Sequence, residues 1–228
     1  MNRVQGSSSL VDVMRTDDRY NHEPELAKLK SMGRLENEGL EVIDHLPLLD
    51  CPNFRSDEDV ARRCLVLAGL LQLHFGAPRE HLHQWFEENA LLFSLTRAER
   101  ALLDRDFDAL AEQQRIDIYW FIESTWALTW AGGMHPDLTL NTCVEDTLAE
   151  MLPSVEQWEP AADFVSNYRL RDRTELFEML DYLYRGHWFA MHYRNHPGVD
   201  LDIVMERRKA LEWVCDRSLS WDDVPLDT

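Results

Sequence analysis

The stretch from Val60 to Phe75 constrains this chain more than any other. Val60, Cys64, Leu67, Ala68, Leu71 and Phe75 recur at helical spacing, while Leu65, Val66, Leu70 and Leu73 cover most of the remaining faces. A helix that is apolar on nearly every side has no face to offer water, so it belongs in the middle of a larger fold. Its limits are legible. Ser56 can cap the free amides of Asp57, Glu58 and Asp59, and those three acids suit the positive start of a helix. Gly76 and Pro78 end it.

The surroundings read as further helices. Pro24 suits the first turn of a helix to about Leu35. From Glu41 to Cys51 the spacing predicts an extended connector, because Pro47 and Pro52 oppose helix. A helix carrying Leu82, Trp85 and Phe86 follows, and Thr96-Arg97-Ala98-Glu99 forms a capping box that opens another. A Trp-rich helix runs from about Asp108 to Ala131 and stops at Gly132-Gly133. Shorter and longer helices fit Val144–Leu152, Thr174–Asn195 (ended by Pro197) and Leu201–Asp216 (capped by Asp200). Nowhere do apolar and polar residues alternate as in a half-buried strand. The expectation is an all-α fold, a single compact multi-helix domain over 24–228 with the Trp-rich helix at its centre and no significant β-sheet. Residues 1–23, which include Gly6-Ser7-Ser8-Ser9, read as a polar, mobile arm. A domain from 228 residues buries about 70% of its unfolded surface and needs no covalent or metal staple.

Charge narrows the partners. Twenty-three Lys and Arg against 42 Asp and Glu give a net charge of -19, which argues against nucleic acid, whose binding needs clustered cations. No apolar run suits a membrane span or a leader. Cys51, Cys64, Cys143 and Cys215 form no C-x-x-C pair and read as reduced cytoplasmic thiols.

Several runs together carry a resemblance: Arg171; Glu178-Met-Leu-Asp181-Tyr-Leu-Tyr184-Arg185-Gly-His187-Trp188; Glu206-Arg207-Arg-Lys-Ala-Leu211-Glu-Trp213; and Trp221-Asp222-Asp223-Val224. Upstream, Leu46-Pro47, Arg55-Ser56 with Arg63, Leu95-Thr96 with Glu99, and Glu123 with Trp130-Ala131-Gly132 follow in the same order. The chain resembles a bacterial family known as domain of unknown function 4272 over nearly all its length apart from the arm. It departs at Glu212, where that family's pattern has Asn. The resemblance implies a helical cytoplasmic domain and carries no reaction, cofactor or catalytic assignment.

A few charges stand in apolar company. Ile116, Tyr119, Trp120, Glu123, Trp126, Ala127 and Trp130 share one helix face, and Glu123 is its sole charge. A carboxylate there is either a poised acid or ligand anchor in an aromatic-lined pocket, or half of a buried ion pair. Arg63 flanks the Val60–Leu67 stripe and should meet an internal acid, Glu123 or another. Further on, Leu176, Leu180, Leu183, Tyr184, His187 and Met191 make an apolar stripe; Glu178, Asp181, Arg185, Trp188 and His192 make a second. Asp181 and Arg185 are spaced as an ion pair. That second stripe is either the floor of a polar cleft presenting Trp188 or a solvated face. His187 fits a core histidine bonded to a carbonyl.

Familiar catalytic signatures are missing. The chain has no H-E-x-x-H, P-loop, G-x-G-x-x-G or G-x-S-x-G, and only three lysines. His192 and His196 lack a third metal ligand, and Pro197 draws His196 out of helix. Neither metal nor cofactor is expected. The leading expectation is a non-catalytic cytoplasmic protein that binds another, basic, protein, in the manner of an immunity protein or a chaperone. Its rival is an enzyme or small-ligand binder with a Trp-lined pocket of Glu123, Arg63, Asp181, Arg185, His187 and Trp188.

Overall fold

Hydrophobic periodicity becomes eight α-helices in the computed structural model, which describes residues 23–50 and 52–227. They are α1 (Glu23–Asn37), α2 (Asp57–His74), α3 (Arg79–Glu88), α4 (Arg97–Leu103), α5 (Glu112–Ala131), α6 (Ala162–Asn167), α7 (Arg173–His192) and α8 (Leu201–Cys215). Short 3-10 helices stand at Leu92–Ser94, Phe107–Ala109, Asp146–Met151 and Trp221–Asp223. The described residues hold no strand; one isolated bridge joins Asn53 and Asp216. The fold is all-α. The arm read over 1–23 lies outside the described residues apart from Glu23, and the Cys51 thiol lies outside them too.

The helices pack in an order that follows their apolar faces. α1 lies on α7, α7 on α8, α8 on α5, and α5 on α2. α2 is buried along its length, with Val60, Cys64, Val66, Leu67 and Leu70 all removed from water. It starts where Ser56 accepts the Asp59 amide at 3.1 Å. Buried apolar residues from Ala27 to Trp221 join in one continuous core. Close approach of α2 to α3 requires glycine at position 69: a Cβ there would lie 2.5 Å from the Phe86 ring.

Three boundaries differ from expectation. The segment read as a helix over Val144–Leu152 is a six-residue 3-10 helix, Asp146–Met151. α5 starts at Glu112, after a separate turn at Phe107–Ala109. α7 ends at His192 and not Asn195, because Asn195 takes a left-handed conformation (φ 68°) and Pro197 restricts the residue before it. The short α6 was not legible at all. Its six residues carry too few apolar positions to show a period.

Candidate functional site

The charges in apolar company resolve into separate pairs. Arg63 on α2 donates to Glu99 Oε1 at 2.6 Å, with both side chains almost wholly buried. Glu99 is the acid of the α4 capping box, and its other oxygen takes the Thr96 amide at 2.7 Å. Glu123 faces the opposite way, toward α8, where Arg207 Nε and Nη2 reach its Oε2 at 2.9 and 2.7 Å. On α7, Arg185 grips Asp181 through two contacts of 2.8 and 3.0 Å, at 0% and 1% exposure. Arg208 donates to Glu212 Oε1 at 3.1 Å and to His187 Nδ1 at 2.9 Å.

These guanidiniums share a second task. Arg63 also donates to the Ser94 carbonyl at 2.8 Å, Arg185 to Pro47 at 3.4 Å, and Arg207 to Thr139 and Thr142 at 2.8 and 2.7 Å. Arg208 holds the carbonyls of Leu226 and Asp227 at 3.4 and 3.1 Å. Arg171 does the same for Trp130 and His135, at 2.6 and 2.7 Å. Arg55 serves Trp213 in the last turn of α8 and Asp216 and Leu219 beyond its end. A guanidinium has five N–H donors in a rigid fork. One such side chain can therefore neutralise an acid and also satisfy loop carbonyls that would otherwise be buried unpaired. A lysine lacks that geometry.

The structure redistributes the predicted site. Of its six residues, Arg63 pairs with Glu99, Glu123 with Arg207, and Asp181 with Arg185, three separate contacts among the described residues. A solvated second stripe on α7 is incorrect at Asp181, Arg185 and Trp188, all buried between α7 and its neighbours. Trp188 is 7% exposed and stacks on His192 at 4.2 Å, so it presents no surface anchor. His187 Nδ1 accepts from the Arg208 guanidinium, and no carbonyl partner of its ring is found among the described residues. The aromatic stripe of α5 divides: Ile116 and Tyr119 are 42% exposed, whereas Trp126 stacks on His135 and Trp130 lies under Arg171. Four surface grooves open between described residues, and Arg63 is the one predicted site residue that lines any of these four.

Burial pushes the Glu123 carboxyl up and the Arg207 guanidinium down, and the contact between them opposes both movements. His187 is pushed down to about 4, first by burial and then by the Arg208 charge. The neutral ring is therefore the form that accepts from Arg208. Between about pH 6.5 and 4 the unfolded chain takes up a proton that the folded one refuses, so this group's contribution to stability falls as pH falls through that window. The expected loss is on the order of 3 kcal/mol. His187→Asn keeps an acceptor at the same place and should abolish this loss; subtracting its stability curve from that of the parent checks it.

Sequence reasoning missed Arg207 and Arg208. The signal was present: Ile203, Val204, Ala210 and Leu211 lie three and four residues to either side of Arg207, which places its guanidinium on an apolar stripe. Among the described residues, no group of three or more His, Cys, Asp or Glu is placed to hold a metal ion. No described helix is long and apolar enough to cross a membrane.

Fold and pairs together define a class: a helical scaffold whose buried arginines tie its connections to its core. The chain belongs to the family of domain of unknown function 4272, which it matches over residues 27–224. No curated protein and no solved structure matches the chain.

Proposed function

We infer that this is a non-catalytic protein that binds another, basic, protein through its surface. The observation that carries the reading is an exposed aromatic face where the end of α2 meets the start of α5. Phe75 is 62% exposed there, with Ile116 and Tyr119 at 42% each. His74 links them, its ring 5.3 Å from Phe75, 6.0 Å from Phe107 and 5.0 Å from Tyr119. A groove of about 440 Å³ runs between His74, Phe107, Glu112, Arg115, Ile116 and Tyr119. Exposed Asp106, Asp108, Glu112 and Asp117 stand on the same chain segment. An apolar centre rimmed by charge is the usual composition of a protein-binding patch, and the acids suit a basic amphipathic segment.

The inward charges support the same reading by what they already do. Glu123 and Asp181 each hold a guanidinium, and His187 accepts from one, so their chemistry is committed to the fold. The reading places the protein in the cytoplasm, in keeping with free thiols at Cys64, Cys143 and Cys215. Capture from the native cell, followed by mass spectrometry, should recover a basic protein in stoichiometric amount. Its association should slow as salt rises, because screening shortens the field to about 8 Å at physiological ionic strength. Recovery of no partner would overturn the reading, as would a partner whose association rate ignores salt.

A further inference from the structure

Near the start of α2, away from the aromatic face at its end, a second groove of about 430 Å³ is lined by Arg55, Glu58, Asp59, Arg62, Arg63, Phe93, Ser94 and Trp213. Three guanidiniums converge there in a chain whose net charge is -19. Their donors are not all used. Arg63 is 6% exposed, and its Nε is buried without any hydrogen-bond partner among the described residues. Every other buried nitrogen of that side chain is bound, to Glu99 and to the Ser94 carbonyl. Leaving one guanidinium N–H dry and unpaired is costly, and such a gap marks a place where a ligand or water belongs.

Arg55 supplies the second observation. Its Nε and Nη2 hold carbonyls at and beyond the C-terminal end of α8, its Nη1 has no partner among the described residues, and no described carboxylate lies within ion-pair distance of it. Burial pulls this guanidinium down, with Asp59 and Asp216 opposing only from a distance. It lies flat on the Trp213 ring, 3.7 Å from the centroid, so its fork is held in place. Arg62 completes the set: it now grips the exposed Glu58 at 2.8 Å and stands 5.3 Å from the Phe93 ring. The acids in the groove are engaged, Glu58 by Arg62 and Asp59 by the Ser56 hydroxyl at 2.7 Å. Phe93, at 67% exposure, is an apolar side chain with nothing packed over its outer surface.

The geometry points to this groove as a binding site for a small oxyanion with an apolar, flat body. Its phosphate or carboxylate head would take the free Nη1 of Arg55, draw Arg62 from Glu58 and, with a local shift of the groove wall, reach the buried Nε of Arg63. Its body would lie against Phe93. Planar forks match either head, and the groove's size falls in the range of about 300–1,000 Å³ typical of small-ligand sites. This site is separate from the aromatic face of the proposed function and does not depend on it.

Two probes with one body and different heads test the inference: phenyl phosphate and benzoate, titrated into the full chain and followed by the indole N–H resonance of Trp213. At least one should shift that resonance saturably below about 10 mM. Which one does so identifies the head. Arg62→Gln and Phe93→Ala, both at accessible positions, should each weaken binding at least about fivefold while leaving the melting temperature unchanged. Inorganic phosphate, lacking the body, should bind more weakly than phenyl phosphate and be indifferent to Phe93→Ala. Absence of saturation with both probes would overturn the site, and so would binding that both variants leave unaltered.

Discussion

Glu123→Ala should destabilise the protein by about 3–5 kcal/mol, because it strands a buried cation. Arg207 is 0% exposed, and two of its nitrogens depend on Glu123. Without the carboxylate its charge would keep only the carbonyls of Thr139 and Thr142 and the Thr139 hydroxyl. Glu123→Gln retains one acceptor and should cost less than the alanine variant. The paired replacement of Glu123 and Arg207 by apolar residues should cost less than Glu123→Ala alone, since it removes both charges together. Thermal or urea unfolding of the three variants checks the order. A melting temperature unchanged in Glu123→Ala would show that the pair holds nothing.

Removal of residues 221–228 should lower stability by a comparable amount. Trp221 is 3% exposed and meets Trp213 edge to face at 5.6 Å, with the Arg63 guanidinium 5.1 Å from its ring. Truncating a buried Trp costs about 3–5 kcal/mol. The shortened chain would also release Arg208 from the carbonyls of Leu226 and Asp227. Trp221→Ala in the full chain separates the two contributions: the ring's share should exceed that of the two hydrogen bonds. A truncated protein that melts like the parent would show the ending to be free of the body.

Sequence reading reached the helices by two physical signals, apolar period and capping chemistry. Ser56, Thr96 and Asp200 each cap a helix start as their residue type implies. The same signals failed where structure is short or irregular, as at Asp146–Met151 and α6, because six residues are too few to show a period. For the charges, sequence identified that Glu123, Arg63, Asp181 and Arg185 were unusual, and all four are buried. Spacing paired Asp181 with Arg185, as the structure has them, but could not name the partners of Glu123 and Arg63. Glu99 and Arg207 lie 36 and 84 residues from their partners, and only the tertiary fold, which sets the start of α4 beside Arg63 and packs α5 on α8, brings them together. Trp188 was misjudged for a related reason: the polar residues sharing its stripe, Asp181 and Arg185, satisfy one another and so can be buried beside it.

The central claim is that the inward charges hold the fold while the aromatic face does the binding. The most direct measurement compares the captured basic partner's affinity for the parent and for Phe75→Ser/Tyr119→Ser, a pair of substitutions at exposed positions. The account predicts a melting temperature within about 2 °C of the parent and an affinity reduced at least tenfold, about 1.4 kcal/mol. Equal affinity in the two proteins would contradict it.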